Sequence, residues 1–146
     1  MRAVLGCDDA VARFVSDQIP FGGTGGFAPC TAMGVANDED FLVGGFVFHN
    51  YEPAIGVIEI SFAGTARHWL TRPVLYAAFS YVFNQLGCQL ACSRTPASLR
   101  HACRIARAYG FKQVLVPRLF GRGEDGILST LTVEDWRANG FHKENR

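Results

Sequence analysis

The stretch VIEISFAGTARHWLTRPV, from Val57 to Val74, decides how the rest of the chain is interpreted. In its first part Ile58, Ile60 and Phe62 alternate with other side chains, so they share one face of an extended segment. The alternation predicts a strand over residues 54–62.

The second part of the stretch predicts a loop and then the start of a helix. Pro73 suits the first turn of a helix, because the N–H group that proline lacks would have no partner there. Apolar residues then recur at helical spacing as far as Leu86, and Gly87 ends the pattern. The chain is therefore expected to leave the strand, turn through residues 63–71 and continue as a helix.

On the N-terminal side the pattern predicts a helix and two strands. The helix covers residues 8–19, where apolar residues are three and four positions apart. Strands at 31–35 and 41–49 flank a polar turn and are typical of a hairpin. Residues 21–27 between helix and hairpin contain four glycines, which predicts a flexible loop.

On the C-terminal side we expect a short strand, a helix and two more strands. The strand covers residues 89–93, the helix ends at Gly110, and the last strands cover residues 111–120 and 127–133. Strands that alternate with helices after an antiparallel meander predict a mixed, mostly antiparallel sheet with helices on both faces. The whole chain, residues 1–146, is interpreted as one α/β (α+β) domain.

Composition narrows the class of protein. The chain has a net charge of +1, so it lacks the basic excess that would favour nucleic acid or an anionic membrane. Its five cysteines form no zinc-binding pattern with histidine, so we expect no metal site and a reducing compartment. No apolar run is long enough to cross a membrane, and we expect a cytoplasmic protein.

Three motifs in order carry a resemblance to a known family. They are Glu59-Ile60-Ser61-Phe62 followed by Arg67-His68-Trp69, the helix end from Ser80 to Gly87, and the helix from Ser98 that ends in Gly110-Phe111. Over residues 30–136 the chain resembles the GCN5-related N-acetyltransferases. It is most similar to small acetyltransferase-like proteins of phages and prophages, which share a Trp-Leu-Thr-Arg type of turn.

The resemblance implies a site for acetyl-CoA. The strand over residues 54–62 and the strand over 89–93 would part at their ends, and the pantetheine arm would pair with Ile60, Ser61 and Phe62 as a further strand does. The pyrophosphate would lie on the turn before the helix. The implied turn and helix positions in this sequence are Arg67, Trp69, Leu70, Thr71, Arg72, Val74 and Leu99.

This turn departs from the family's glycine-rich signature. Leu70, Arg72 and Val74 stand where glycines usually let the backbone approach phosphate. Arg67 and Arg72 would compensate by pairing with phosphate oxygens.

The resemblance also suggests the groups that move protons. Direct acyl transfer needs a neutral amine, so a base must take a proton, and Glu59 on the central strand is the first candidate. His49 and Tyr51, at the end of the preceding strand, are alternatives, and Ser93 would donate to the leaving thiolate. The tyrosine that often fills this last role in the family is replaced by Ala106.

The expected partner is an amine acceptor, either a small molecule or a protein. It would enter beside the loop of residues 22–26, which would act as a lid. A homodimer is common for such domains, and the last strand would supply its edge.

Two other functions stay open on the sequence. The altered turn, Leu99 and Ala106 also suit a non-catalytic binding module or a phage structural protein. An enzyme that modifies DNA bases would need a basic stripe, for which the candidates are Arg94, Arg100, Arg104 and Arg107.

Overall fold

The computed structural model describes residues 1–19 and 30–140. Within them seven strands form one sheet in the spatial order β1-β2-β3-β4-β5-β7-β6. The strands are β1 (Arg2–Val4), β2 (Cys30–Ala36), β3 (Leu42–Glu52), β4 (Val57–Gly64), β5 (Leu90–Pro96), β6 (Lys112–Val116) and β7 (Gly126–Thr132). The helices are α1 (Asp8–Gln18), α2 (Arg72–Ser80), α3 (Arg100–Tyr109) and α4 (Val133–Ala138), and α2 continues into a π-helical turn over Tyr81–Gln85.

The sheet is mixed, as predicted. β4 and β5 run parallel, and every other neighbouring pair runs antiparallel. The parallel pair needs a crossover, and α2 supplies it, because antiparallel neighbours alone can be joined by a tight turn. The fold class derived from the order of predicted elements is confirmed.

Helices cover both faces of the sheet. On one face α1 packs Val11 and Val15 against Val47 of β3. On the other face a larger core joins β3 and β4 to α2, α3 and α4, with Phe48 of β3 and Trp136 of α4 among its members. The alternation of side chains along β3 thus serves two separate cores.

Two features of the sheet differ from the sequence-based expectations. β1 has only three residues, too few to give a periodic signal, and was not predicted. The last strand, β7, lies between β5 and β6 and is not an edge, so the prediction that it would supply a dimer edge is wrong. The hairpin folds back so that β6, the shorter strand, is outermost.

The predicted glycine loop falls outside the described residues. The glycine loop over residues 21–27, with its lid at 22–26, lies in the stretch that the structure does not describe.

The five cysteines are free thiols, and of these Cys88 is buried and Cys7 is exposed. No helix in the described part of the chain combines the length and apolar composition that crossing a membrane requires.

Candidate active site

The centre of the sheet contains an opening between β4 and β5. The two strands pair at only three positions, from Val57 with Leu90 to Glu59 with Cys92. Beyond Glu59, β4 stays paired with β3 and β5 stays paired with β7, so the halves that follow separate from each other. The predicted parting of these strands is therefore present.

The opening widens into a cleft of about 950 Å³. The cleft lies between the end of β4, the turn that precedes α2, and α3. Its walls include Phe62, Leu70, Leu75, Leu99 and Ile105, all of them partly buried apolar side chains. A narrow apolar passage of this kind suits a flexible chain with few charges.

The walls of the cleft also carry basic side chains. Arg67 and His68 from the turn, and Arg100 and His101 from the start of α3, line it. No aspartate or glutamate is among the described residues that form its walls. The site can therefore accept a strongly anionic ligand, although the chain as a whole carries a net charge of only +1.

The start of α2 offers few backbone donors to an anion. Thr71 is the N-cap, and its Oγ1 accepts a hydrogen bond from Val74 N at 3.4 Å. Pro73 has no N–H group. At most one of the first three N–H groups of α2 can therefore face a ligand, and side chains must supply most of the donors.

Trp69 anchors this turn to the sheet. Its ring is buried and lies 5.4 Å from the ring of Phe46. A Cβ at Gly44 would come within 2.2 Å of the indole, and a Cβ at Gly64 within 2.3 Å. The two glycines create the space that lets the tryptophan lie flat on the strands, so Trp69 fixes the position of the turn.

A polar network lies where the pairing of β4 and β5 ends. Glu59 is buried, its Oε1 accepts a hydrogen bond from Asn50 Nδ2 at 2.9 Å, and its Oε2 accepts one from Arg94 Nε at 2.9 Å. His49 Nε2 lies 4.0 Å from the same Oε2 and 2.9 Å from Ser61 Oγ. The structure thus brings together Glu59 and His49, two of the predicted catalytic residues.

The histidine of this network is held in its neutral form. Burial lowers the pKa of His49 below its ordinary value of 6.5, and this effect outweighs the opposing attraction of the nearby Glu59 carboxylate. A neutral imidazole can accept a proton, and a carboxylate 4.0 Å away can stabilise the resulting cation.

The other predicted catalytic side chains are more distant from this network. Tyr51 is exposed, and its hydroxyl donates a long hydrogen bond of 3.5 Å to the carbonyl of Leu86. Ser93 is buried on β5, just past the last pairing with β4 and opposite Ser129 of β7. Ser93 therefore borders the opening, and Tyr51 lies at the far end of β3.

The predicted cofactor positions divide into two groups. Five of them, Phe62, Arg67, Trp69, Leu70 and Leu99, line the cleft. The side chains of Ile60, Ser61, Thr71, Arg72 and Val74 do not form its described walls: Ile60 and Val74 belong to the core, and Thr71 caps α2. Their cofactor roles stay predictions, and for residues 60–62 the predicted contact is through the backbone.

Sequence reasoning missed several residues of the site. His68, Arg100 and His101 line the cleft, but the sequence alone does not show that the turn and the start of α3 face each other. Tyr109 also lines the cleft; its hydroxyl accepts a hydrogen bond from Trp136 Nε1 at 3.0 Å, and burial raises the pKa of the phenol well above its ordinary value.

Comparison with known proteins gives a consistent result at the level of fold. No protein-family model matches the chain, and no curated protein matches its sequence. Solved structures do match. Spermidine/spermine N-acetyltransferase SpeG from Vibrio cholerae, in a structure with manganese ions, is 12% identical over 95% of this chain and 97% of its own, with a TM-score of 0.74.

Two further structures support the same assignment. SpeG from Vibrio cholerae in complex with CoA and spermine is 14% identical, with 75% of this chain and 69% of that chain covered and a TM-score of 0.65. Ribosomal-protein-S5-alanine acetyltransferase from Vibrio fischeri is 14% identical, with 73% and 63% covered and a TM-score of 0.62. The opening between two central strands and these likenesses lead to one conclusion: the chain has the fold of the GCN5-related N-acetyltransferases.

Proposed function

We propose that the protein is an N-acetyltransferase that takes an acetyl group from acetyl-CoA and transfers it to an amine. The observation that carries the proposal is the separation of β4 from β5 after Glu59 and Cys92, beside a cleft whose walls contain two arginines, two histidines and no described carboxylate. An apolar passage with cations in its walls matches the chemistry of a pantetheine arm that ends in phosphates.

The residues present fit the donor. From Ile60 to Phe62, β4 is paired with β3 but no longer with β5, and the edge that faces β5 would pair with the amide groups of the arm. Arg67, His68, Arg100 and His101 would hold the phosphates, in place of the backbone donors that the start of α2 lacks. The thioester of the bound donor supplies the acyl group.

The buried network would remove the proton from the attacking amine. His49 is neutral and buried, so it accepts the proton, directly or through Ser61 Oγ at 2.9 Å. Glu59 stabilises the imidazolium, while Asn50 and Arg94 hold the carboxylate in place. We therefore assign His49 and Glu59 a joint role as base and supporting anion.

Two hydroxyl groups near the opening can donate to the leaving thiolate. Ser93 lies just past the last pairing of β5 with β4. Tyr109 keeps its proton, because its pKa is raised by burial, and it lines the cleft directly. We assign the role to Ser93, since the hydroxyl of Tyr109 is anchored to Trp136 at 3.0 Å.

The acceptor class is proposed from the solved structures of similar fold. Their names include a spermidine/spermine acetyltransferase and an alanine acetyltransferase that acts on a ribosomal protein. A polyamine and a peptide with an N-terminal alanine are therefore the first acceptors to try.

Titration calorimetry with acetyl-CoA tests the donor site. We expect binding in the micromolar range. Arg67→Ala should weaken it about tenfold or more, since a charge-assisted contact contributes roughly 1.5–3 kcal/mol. Arg72→Ala tests the second arginine of the predicted turn in the same way. Absence of binding at millimolar acetyl-CoA would refute the proposal.

A non-catalytic binding module is the second candidate function. The observation in its favour is the start of α2, where Pro73 and the capped Val74 N leave few donors for a diphosphate. A phage or prophage origin would suit this alternative. Mass spectrometry of spermidine and of an N-terminal alanine peptide after incubation with protein and acetyl-CoA separates the two, because only the enzyme adds 42 Da, about the mass of an acetyl group less a proton.

A further inference from the structure

A second depression lies between α3 and the hairpin of β6 and β7, and Arg100 is the one described side chain that it shares with the cleft. It has a volume of about 330 Å³, and Ala97, Gln113 and Ile127 contribute to its walls. Gln113 Nε2 donates hydrogen bonds to the carbonyl of Cys103 at 2.8 Å and to Ser129 Oγ at 3.1 Å, so strand and helix are tied together there. We refer to this depression as the α3–β6 groove.

Three arginines from one face of α3 line the groove. Arg100, Arg104 and Arg107 are four and three positions apart, which places them on the same side of the helix. In residues 1–19 and 30–140 none of them forms an ion pair with a carboxylate. Arg94, the fourth member of the stripe considered from the sequence, pairs with Glu59 and does not belong to the groove.

The three neighbouring arginine side chains repel one another when no anion lies between them. They also stand beside a strand with an open edge. β6 pairs with β7 on one side, and no described strand pairs with its other side. Val114 and Leu115 of β6 are 62% and 56% exposed. Val114 and Leu115 are consecutive in the strand and lie on opposite faces of it, and Leu115 shares the face of Gln113, which lines the groove. An unpaired strand edge, one exposed apolar side chain and three cations therefore occur together on the α3 side of β6.

We propose that this surface binds an extended acidic segment of a partner polypeptide, which adds to the open edge of β6 and pairs its carboxylates with Arg100, Arg104 and Arg107. The spacings agree. The arginines rise about 6 Å and about 4.5 Å along the helix axis, and alternate side chains of a strand are roughly 6.6–6.8 Å apart. Alternate residues of the segment would face α3, and the residues between them would lie beside Val114.

A polypeptide fits these observations better than a nucleic acid. No aromatic side chain is among the described residues that line the groove, so there is no platform for stacking bases. The net charge of +1 gives little long-range attraction for a polyphosphate chain. An open strand edge, by contrast, recognises the peptide backbone itself.

Fluorescence anisotropy with the full chain and a labelled peptide tests the proposal. The probe is a peptide of about ten residues in which glutamate alternates with valine, matched to the strand period. Binding should weaken about tenfold or more in Arg104→Glu and in Arg107→Glu, because each reversal replaces an attraction by a repulsion. Arg13→Glu on α1 is the matched control and should bind as the unaltered chain does.

Two modified probes separate backbone pairing from charge. A peptide that alternates lysine with valine should not bind. N-methylation of every second residue removes the N–H donors along one edge of the extended peptide. Two such peptides can be made, one methylated at the odd and one at the even positions. The peptide that is methylated on the edge facing β6 should bind at least about tenfold more weakly, and the other should bind as before.

Several results would overturn the proposal. The first is that the acidic peptide does not bind, and the second is that Arg104→Glu binds it as tightly as the unaltered chain does. The third is that both N-methylated peptides bind with the same affinity. The fourth is that a single-stranded oligonucleotide of the same charge binds more tightly than the acidic peptide. The assay contains no acetyl-CoA, so its outcome is independent of whether the cleft binds that donor. Urea unfolding of Arg104→Glu beside the unaltered chain checks that the variant is folded, and it does not depend on any ligand.

Discussion

His49 and Glu59 face each other across β3 and β4, at the point where the central strands begin to separate. Alternate residues of β3 share a face, so His49 lies on the same face as Val47, which packs against α1. Burial keeps the imidazole neutral, and the two hydrogen bonds from Asn50 and Arg94 hold the carboxylate in one orientation. The environment of His49 therefore suits it to accept a proton, and that of Glu59 suits it to stabilise the cation that forms.

Loss of His49 should slow acetyl transfer in a pH-dependent way. His49→Gln removes the proton acceptor, and we expect the rate to fall by about 100-fold or more near pH 7. The pKa of His49 lies below its ordinary 6.5, so we expect the unaltered protein to lose the proposed activity only as the pH falls below that value. Protonation of the amine substrate affects the unaltered protein and His49→Gln equally. It therefore cancels when the rate of the unaltered protein is divided by the rate of His49→Gln at each pH.

This ratio should shrink as the pH falls through the pKa of His49, because the protonated imidazole no longer serves as a base. A ratio that stays constant at all pH values would assign His49 a purely structural role. Glu59→Gln should lower the rate without changing acetyl-CoA affinity, since Glu59 lies outside the cleft walls.

The buried histidine should also make stability depend on pH. The unfolded chain takes up a proton near pH 6.5, while the folded chain does so only at lower pH. The contribution of His49 is therefore fully present above pH 6.5 and declines as the pH falls towards the pKa of the folded state. The slope reaches at most about 1.4 kcal/mol per pH unit.

Urea unfolding over this range measures that slope. His49→Gln should reduce it relative to the unaltered chain. Val82→Ala, which removes buried methyl groups elsewhere and keeps every histidine, should lower stability and leave the slope as it is. Equal slopes for the unaltered chain and His49→Gln would show that the histidine is not held neutral by the fold.

At the scale of elements, the turn before α2 is positioned by packing. Trp69 lies over Gly44 of β3 and Gly64 of β4, and the indole fills the space that side chains would occupy there. The turn carries Arg67 and His68 into the cleft. Gly44 on β3 thus helps to place Arg67, which lies on the turn after β4.

Gly44→Ala should disturb this arrangement. The new Cβ would lie 2.2 Å from Cε3 of Trp69, so the ring or the strand must shift. We expect a loss of about 1–3 kcal/mol in the free energy of unfolding, together with weaker acetyl-CoA binding. Denaturant unfolding and calorimetry measure the two effects.

Gly123→Ala is the matched control, since nothing lies within 4 Å of its Cβ position. The double variant Gly44→Ala with Trp69→Leu should lose less stability than the sum of the two single changes, because the smaller side chain leaves room for the methyl group. Strict additivity would mean that the glycine serves some purpose other than accommodating Trp69.

At the scale of the whole molecule, local patterns predicted the elements better than their mutual positions. The alternation at Ile58, Ile60 and Phe62 predicts β4, because a strand buried on one face needs that period. The opening beside β4 follows from the resemblance and not from periodicity. The three residues of β1 are too few to show any pattern.

The candidate site shows the same limit. Glu59 and Arg67 could be chosen from the sequence because they belong to one motif, and His49 because it lies at the end of the preceding predicted strand. The places of Arg100 and His101 in the cleft could not be predicted, since they depend on how α3 packs near the turn. Arg94 appeared to belong to a basic stripe, but it pairs with Glu59, which is 35 positions away in the sequence.

The distribution of charge over the molecule leads to a final prediction. A net charge of +1 suggests weak dependence of ligand binding on salt, yet the cleft walls contain two arginines, two histidines and no described carboxylate. Charges act on a bound ligand mainly when they lie within one Debye length of it, which is about 8 Å at physiological ionic strength. The charges of the cleft walls therefore matter more for binding than the net charge of the chain. Acetyl-CoA affinity should therefore fall on the order of tenfold between low and high salt.

Calorimetry over a series of salt concentrations measures this dependence. Arg67→Gln and Arg100→Gln should each flatten it, because each removes one cation from the cleft wall, while Arg13→Gln on α1 should not. Arg67 belongs to the turn and Arg100 to α3, so equal flattening by both would mean that the phosphates contact both elements. If only one variant flattened the dependence, the ligand would be held by a single wall and the role assigned to the other would be withdrawn.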